Sequence, residues 1–270
     1  MKNLVMSAAV GLNSEAIEFF IKSLRKFYFG DVCILVDSKD IFLKEKIKSY
    51  NCKFYEVDVN KNDIQLKRYE FYLKFLNNKK YDYIFMCDCR DIYFQSNPFN
   101  YKYKGSINFF LEDTPINQCK VNSKWIYKTF GKKVFDEMRN NIICCSGTVL
   151  GTQSSITQYL ILMNKRIKKF PFKKRIKYFL TFRRDKEGRG CDQGYCNYIV
   201  HKKLIKDIHL YFNHNGPVAT VLYLKEIKFN KNLYLTNSAG ENYLIVHQYD
   251  KRWNEFSRNI NLIKKKLGLN

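Results

Sequence analysis

Four short apolar runs, spaced by stretches of helical periodicity, fill the N-terminal third of the chain and constrain its fold more than any other feature. The runs cover residues 4–10, 32–36, 54–57 and 83–87, and their continuous apolar character suits strands buried on both faces. Between the first two, Gly11-Leu12-Asn13-Ser14 reads as a turn and helix cap, with Glu15 in the first helical turn. Ile17, Phe20, Ile21, Leu24 and Tyr28 then recur at helical spacing up to Gly30. Residues 40–50 and 63–76 read as two further helices. Alternating strands and helices predict an α/β fold with a mainly parallel central sheet flanked by helices.

The second half is less regular. Strands are expected over 107–111, 142–150, 233–235 and 243–247, helices over 154–163 and 192–203, and a basic helix from Asn254 onward. With no internal repeat and no linker, the 270 residues read as a single domain. No apolar run approaches the ~18 residues of a spanning helix. The first residues lack the long apolar segment of a signal peptide, so none is expected. The 9 cysteines are odd in number and have no framework or zinc-knuckle spacing, which reads as buried free thiols in a reducing, cytoplasmic setting.

In a doubly wound sheet, ligands bind outside the carboxyl ends of the strands. Four polar clusters stand at or beside the expected strands and helix starts here. Cys87-Asp88-Cys89-Arg90-Asp91 places two carboxylates that can hold a divalent cation, or form only a solvated strand-end turn. Ser146-Gly147 interrupts the run 142–150, and a glycine inside a strand marks a close approach by another group. Asp192-Gln193 opens a helix bearing Asn197. His247 ends the late apolar run.

This order resembles nucleotide-sugar glycosyltransferases of the GT-A fold, most closely the glycogenin and bacterial lipopolysaccharide galactosyltransferase group and related Asp-x-Asp transferases. Ser7-Ala8-Ala9, the Asp88 to Asp91 cluster, Ser146-Gly147, Asp192-Gln193 and His247 stand where those families carry their motifs, over roughly residues 4–252. Asn97-Pro98-Phe99 is similar to a related branch. The resemblance implies one Rossmann-like GT-A domain: a nucleotide-binding half over 1–100, an acceptor and donor-sugar half over 101–250, and a basic tail over 251–270.

It also implies an enzyme. The donor would be a nucleoside diphosphate sugar, with a UDP-sugar favoured, and the acceptor a glycan or a lipid-linked sugar. Mn²⁺ or Mg²⁺ would be held by Asp88, Asp91 and His247. Ser7, Ala8, Ala9, Arg68, Asp88, Arg90, Ser146 and Gly147 would contact the donor. Asp192 would orient donor hydroxyls or serve as general base, and Gln193 would lie near the anomeric carbon. One departure stands out: the two Asp are separated by Cys89-Arg90. Counting from Asn97 aligns Cys89 and Asp91 with the metal motif, whereas counting from the strand aligns Asp88 with its first position. Arg90 could instead supply part of the metal's charge. Arg68 either reaches the diphosphate or is a solvated helix charge.

Lys+Arg total 48 against 25 Asp+Glu, a net charge of +23. Residues 165–184 contain Lys and Arg but no acid, with Phe170, Phe172, Tyr178, Phe179 and Phe182 interleaved. Such a segment suits an anionic membrane surface, nucleic-acid phosphates, or plain solvation. Peripheral membrane association is expected and a nucleic-acid partner is not. A non-catalytic nucleic-acid-binding protein, the rival reading, explains the charge but not the carboxylates or His247. A sugar nucleotidyltransferase would want a richer glycine loop than Gly11 alone supplies.

Overall fold

The computed structural model describes residues 1–168 and 190–269. Strands β1 (Leu4–Ala8), β2 (Asp31–Asp37), β3 (Lys53–Val57) and β4 (Tyr83–Cys87) alternate with helices α1 (Ser14–Arg25), α2 (Ile41–Ser49) and α3 (Ile64–Leu76). After them come β5 (Ile92–Phe94), β6 (Ile107–Pro115), α4 (Lys120–Phe130), α5 (Lys132–Met138), β7 (Ile142–Thr152) and α6 (Gln153–Lys168). The remainder is α7 (Cys191–His201), β8 (Ile208–Tyr211), β9 (Val218–Thr220), β10 (Lys228–Phe229), β11 (Leu235–Thr236), β12 (Ile245–His247) and α8 (Trp253–Lys266).

The main sheet has seven strands in the order β3-β2-β1-β4-β7-β6-β8. All run parallel except β7, which is antiparallel to both of its neighbours. A second sheet, β5-β12-β9, has β12 antiparallel to β5 and parallel to β9. The molecule is thus α/β with a mostly parallel central sheet flanked by helices, as the alternation predicts.

Period-two alternation divides each central strand between two apolar layers. Leu4 and Met6 pack with Tyr72 of α3, Tyr159 of α6 and Tyr195 of α7. Val5 packs on the other face with Phe20 and Leu24 of α1 and Ile47 of α2. The Asn13 side chain caps α1 by accepting the Ala16 N–H at 3.0 Å, which agrees with the predicted cap. All nine cysteines are buried, and none forms a disulfide.

Several expected boundaries shift. The first strand ends at Ala8, not Val10, because the chain turns through Gly11 at φ 73°. The strand expected over 233–235 starts only at Leu235, since Leu233 is a turn residue at φ 69°. The strand expected from Tyr243 begins at Ile245. Helices α4 and α5 and strands β5, β8, β9 and β10 went without an expectation. Their apolar patterns are short, and it is packing that holds them. Of the basic segment, 165–168 close α6, and 169–184 lie outside the described residues. No helix among the described residues is long and apolar enough to cross a membrane.

Candidate functional site

The end of β4 turns sharply at Asp88 to Asp91 and then enters β5, which pairs with β12 in the register His247↔Ile92. That pairing delivers His247 to the turn from a position far along the chain. Its Nε2 lies 3.6 Å from Asp88 Oδ2 and 3.7 Å from Asp91 Oδ1. One ligand atom from each of the three residues falls within 4.8 Å of the others. Asp91 and His247 are buried, and Asp88 is partly open. Both ways of counting the motif therefore meet in one group, which could hold a metal ion. Cys89 stands outside it: its thiol donates to the Ala8 carbonyl at 3.0 Å.

Gly147, on the reversed strand β7, backs this group. Its carbonyl accepts the Asp88 N–H at 2.9 Å. A Cβ at this position would lie 2.7 Å from Asp88 Oδ2 and 2.7 Å from His247 Cε1, so only glycine leaves room for them. His247 Nδ1 in turn meets Cys145 Sγ at 3.5 Å.

Arg68 of α3 is mostly buried rather than a solvated helix charge. It pairs with Asp88, and its Nη2 donates to Asp192 Oδ2 at 3.1 Å. Burial alone would raise the Asp88 carboxyl. Arg68 and His247 outweigh that and hold it well below the usual carboxylate range. Asp91 goes the other way: burial raises it, and His247 and Arg90 offset this only in part. Burial also raises Asp192, against the opposing charge of Arg68. Burial would neutralise His247, but Cys145 and the two carboxylates reverse this and favour the charged ring.

Helix α7 is stitched to β7 by side-chain amides one turn apart. Gln193 Oε1 accepts from both the N–H and the hydroxyl of Ser146, each at 2.8 Å. Asn197 pairs with the Cys144 backbone, accepting its N–H and donating to its carbonyl, both at 2.9 Å. The remaining amide of Gln193 donates to Glu112 Oε1 at 3.2 Å.

Several of these residues line a cavity of about 520 Å³ at the carboxyl ends of the central strands. Ala8, Arg68, Asp88, Arg90, Asp91 and Ser146 line it, as do Asp192 and Gln193. Gly147 and His247 are not part of this lining, and neither are Ser7 and Ala9. In an alternating strand the latter two share the face opposite Ala8. The Ser7 hydroxyl donates to the Cys87 carbonyl at 2.7 Å, and Ala9 is buried in the α1 layer.

Glu112 was missed in the sequence. It is only 2% exposed, and burial raises its carboxyl despite the hydrogen bond from Gln193. Its signal was available: Glu112 directly follows the run 107–111 read as a strand, although β6 continues past it to Pro115. Lys61, Trp125 and Lys251 also line the cavity and carry no local signature.

The lining is electrostatically sorted. Its acids, Asp91, Glu112 and Asp192, are buried, with Asp88 partly so. Three of its bases, Lys61, Arg90 and Lys251, are exposed at the rim. Arg90 leans inward to Asp91 and Asp250, at 3.2 and 3.1 Å. No protein-family model and no curated protein sequence matches the chain.

Proposed function

We propose that this protein is a metal-assisted glycosyltransferase of the GT-A type, moving a sugar from a nucleoside diphosphate sugar to a glycan or lipid-linked acceptor. The carrying observation is the sorted cavity: a buried acidic floor under an exposed basic rim, in a chain of net charge +23. A floor of this kind suits a divalent cation, and a basic rim suits a diphosphate. A metal–diphosphate pair presents both charges at once.

Two carboxylates and an imidazole form a mixed oxygen and nitrogen donor set that Mn²⁺ accepts readily, and Mg²⁺ through its oxygens. Gly147 leaves the space that this set needs. Asp88, Asp91 and His247 would hold the ion. When bound, it would offset the negative charge that grows on the departing diphosphate.

The chain's own groups do the rest. Arg68 locks Asp88 and Asp192 in place, so their orientation is set before substrate arrives. Asp192 orients donor hydroxyls. Lys61, Arg90 and Lys251 draw in the anionic donor. In the transfer, the acceptor oxygen bonds to the anomeric carbon and the bond from that carbon to the diphosphate oxygen breaks. The acceptor's hydroxyl proton passes to Glu112, whose raised carboxyl, with no Arg or Lys ion pair among the described residues, suits a general base better than the Arg68-bound Asp192. Gln193 holds Glu112 in position.

A thermal-shift screen of nucleotide sugars with and without Mn²⁺ tests this reading, because a ligand that binds only the folded state raises Tm in proportion to its affinity. A metal-dependent rise with a UDP-sugar, accompanied by slow donor hydrolysis, supports the transferase. No nucleotide-sugar response, with salt-dependent binding of RNA instead, overturns it in favour of nucleic-acid binding.

A further inference from the structure

The cavity lining is chemically mixed. It includes the rim cations Lys61 and Lys251. It also includes an apolar wall, where α4 presents Val121, Asn122 and Trp125, neighbours on one helical face, with Leu222 of the short 3₁₀ turn Val221–Tyr223. Val121 and Leu222 are 51% and 39% exposed, so this wall leaves apolar surface open to the cavity mouth.

Trp125 is the centre of that wall. It packs on Gly190, where an added Cβ would fall 1.9 Å from the indole Cε2. Gly190 has φ 81° and caps α7 just before Asp192 and Gln193. The indole is therefore wedged against the start of the helix that supplies the polar floor. Thr129, one turn along α4, donates to the Trp125 carbonyl at 2.6 Å and steadies the same stretch.

We propose that Trp125 is the platform of an acceptor subsite for a pyranose ring, so that the acceptor presents a glycan end rather than a polyprenyl chain to this wall. The inference rests on the transferase reading. A pyranose has one apolar face of C–H groups and a rim of hydroxyls. Its apolar face suits the flat surface of an indole. Its rim needs hydrogen-bonding partners, and Glu112, Asn122 and Gln193 supply them from the same cavity. A hydrocarbon chain would leave Asn122 Oδ1, which has no partner among the described residues, unsatisfied, at a cost in affinity. The diphosphate belongs with the carboxylate–imidazole group and the rim cations, which leaves the indole to the second substrate.

The chain has two Trp, so Trp253→Phe makes Trp125 the sole indole emitter. In that background, with UDP and Mn²⁺ present, Trp125 emission is titrated with methyl pyranosides, their disaccharides and farnesyl phosphate. Saturable quenching or a blue shift by at least one pyranoside is expected. Trp125→Ala should weaken that pyranoside at least tenfold by calorimetry, and Trp125→Phe should retain most of the affinity. UDP–Mn²⁺ binding should be unchanged in both variants, which also shows that they fold. A response to farnesyl phosphate alone, no response to any pyranoside, or full glycan affinity in Trp125→Ala overturns the subsite. Nucleotide binding without pyranoside binding defeats this inference alone, whereas the absence of both defeats the transferase reading as well.

Discussion

A Cβ added to Gly147 would stand 2.7 Å from Cε1 of His247, a ring that is itself only 1% exposed. The glycine and the histidine lie a hundred residues apart, yet the size of one sets the place of the other. Gly147→Ala is expected to push His247 or Asp88 out of register, at an overpacking cost of about 1–3 kcal/mol. Calorimetric Mn²⁺ affinity should fall at least tenfold, and Tm should drop. Unchanged Mn²⁺ affinity would show that the ring yields without losing its geometry.

Asp91→Asn keeps the shape of the side chain and removes its charge. If charge on the leaving diphosphate grows as the bond breaks, the loss should appear in the transition state more than in donor binding. Turnover is expected to fall at least about tenfold, roughly 1.4 kcal/mol of barrier, with donor KM little changed. A chelator should have the same effect on the wild type. Full activity in either case would sink the metal assignment and shift attention to Arg90.

Arg68 serves two carboxylates, so its removal should be felt twice. Arg68→Met is expected to destabilise the fold by roughly 3 kcal/mol, because it leaves the buried Asp192 unpaired. Asp192→Asn in the same chain should recover part of that loss. A double-mutant cycle in urea measures the coupling, and additive effects would mean that the pair contributes nothing to stability.

Glu112 gives a pH signature. Its folded-state carboxyl is raised by burial, so the folded protein holds this proton at a pH where the unfolded chain has released it. Stability contributed here is lost as pH rises from the ordinary glutamate range through the raised value, and recovered as pH falls. Glu112→Gln should therefore raise Tm at pH 8, match the wild type near pH 4, and abolish most transfer activity. A Tm difference that does not vary with pH would show that the carboxyl titrates normally.

The strand–helix alternation up to Cys87 was legible because buried parallel strands and their covering helices each need an apolar pattern of their own period. Asp88, Asp91 and His247 were legible as polar residues just past apolar runs, Ser146 as a break inside one and Asp192 at a helix start, and their order resembled a known set of motifs. The sequence could not settle which of Asp88 and Asp91 belongs to the metal motif; the β5–β12 pairing brings His247 against both, in a group that could hold a metal ion. Nor could it show that Arg68 is buried between two carboxylates, or that Ser7 and Ala9 point away from the cavity while Ala8 lines it. Glu112 and Trp125 became site residues only through the packing of β6 and α4 around α7. Local pattern records which face of an element is apolar. Which polar groups meet depends on contacts between residues far apart in the chain, and those exist only once the layers have packed.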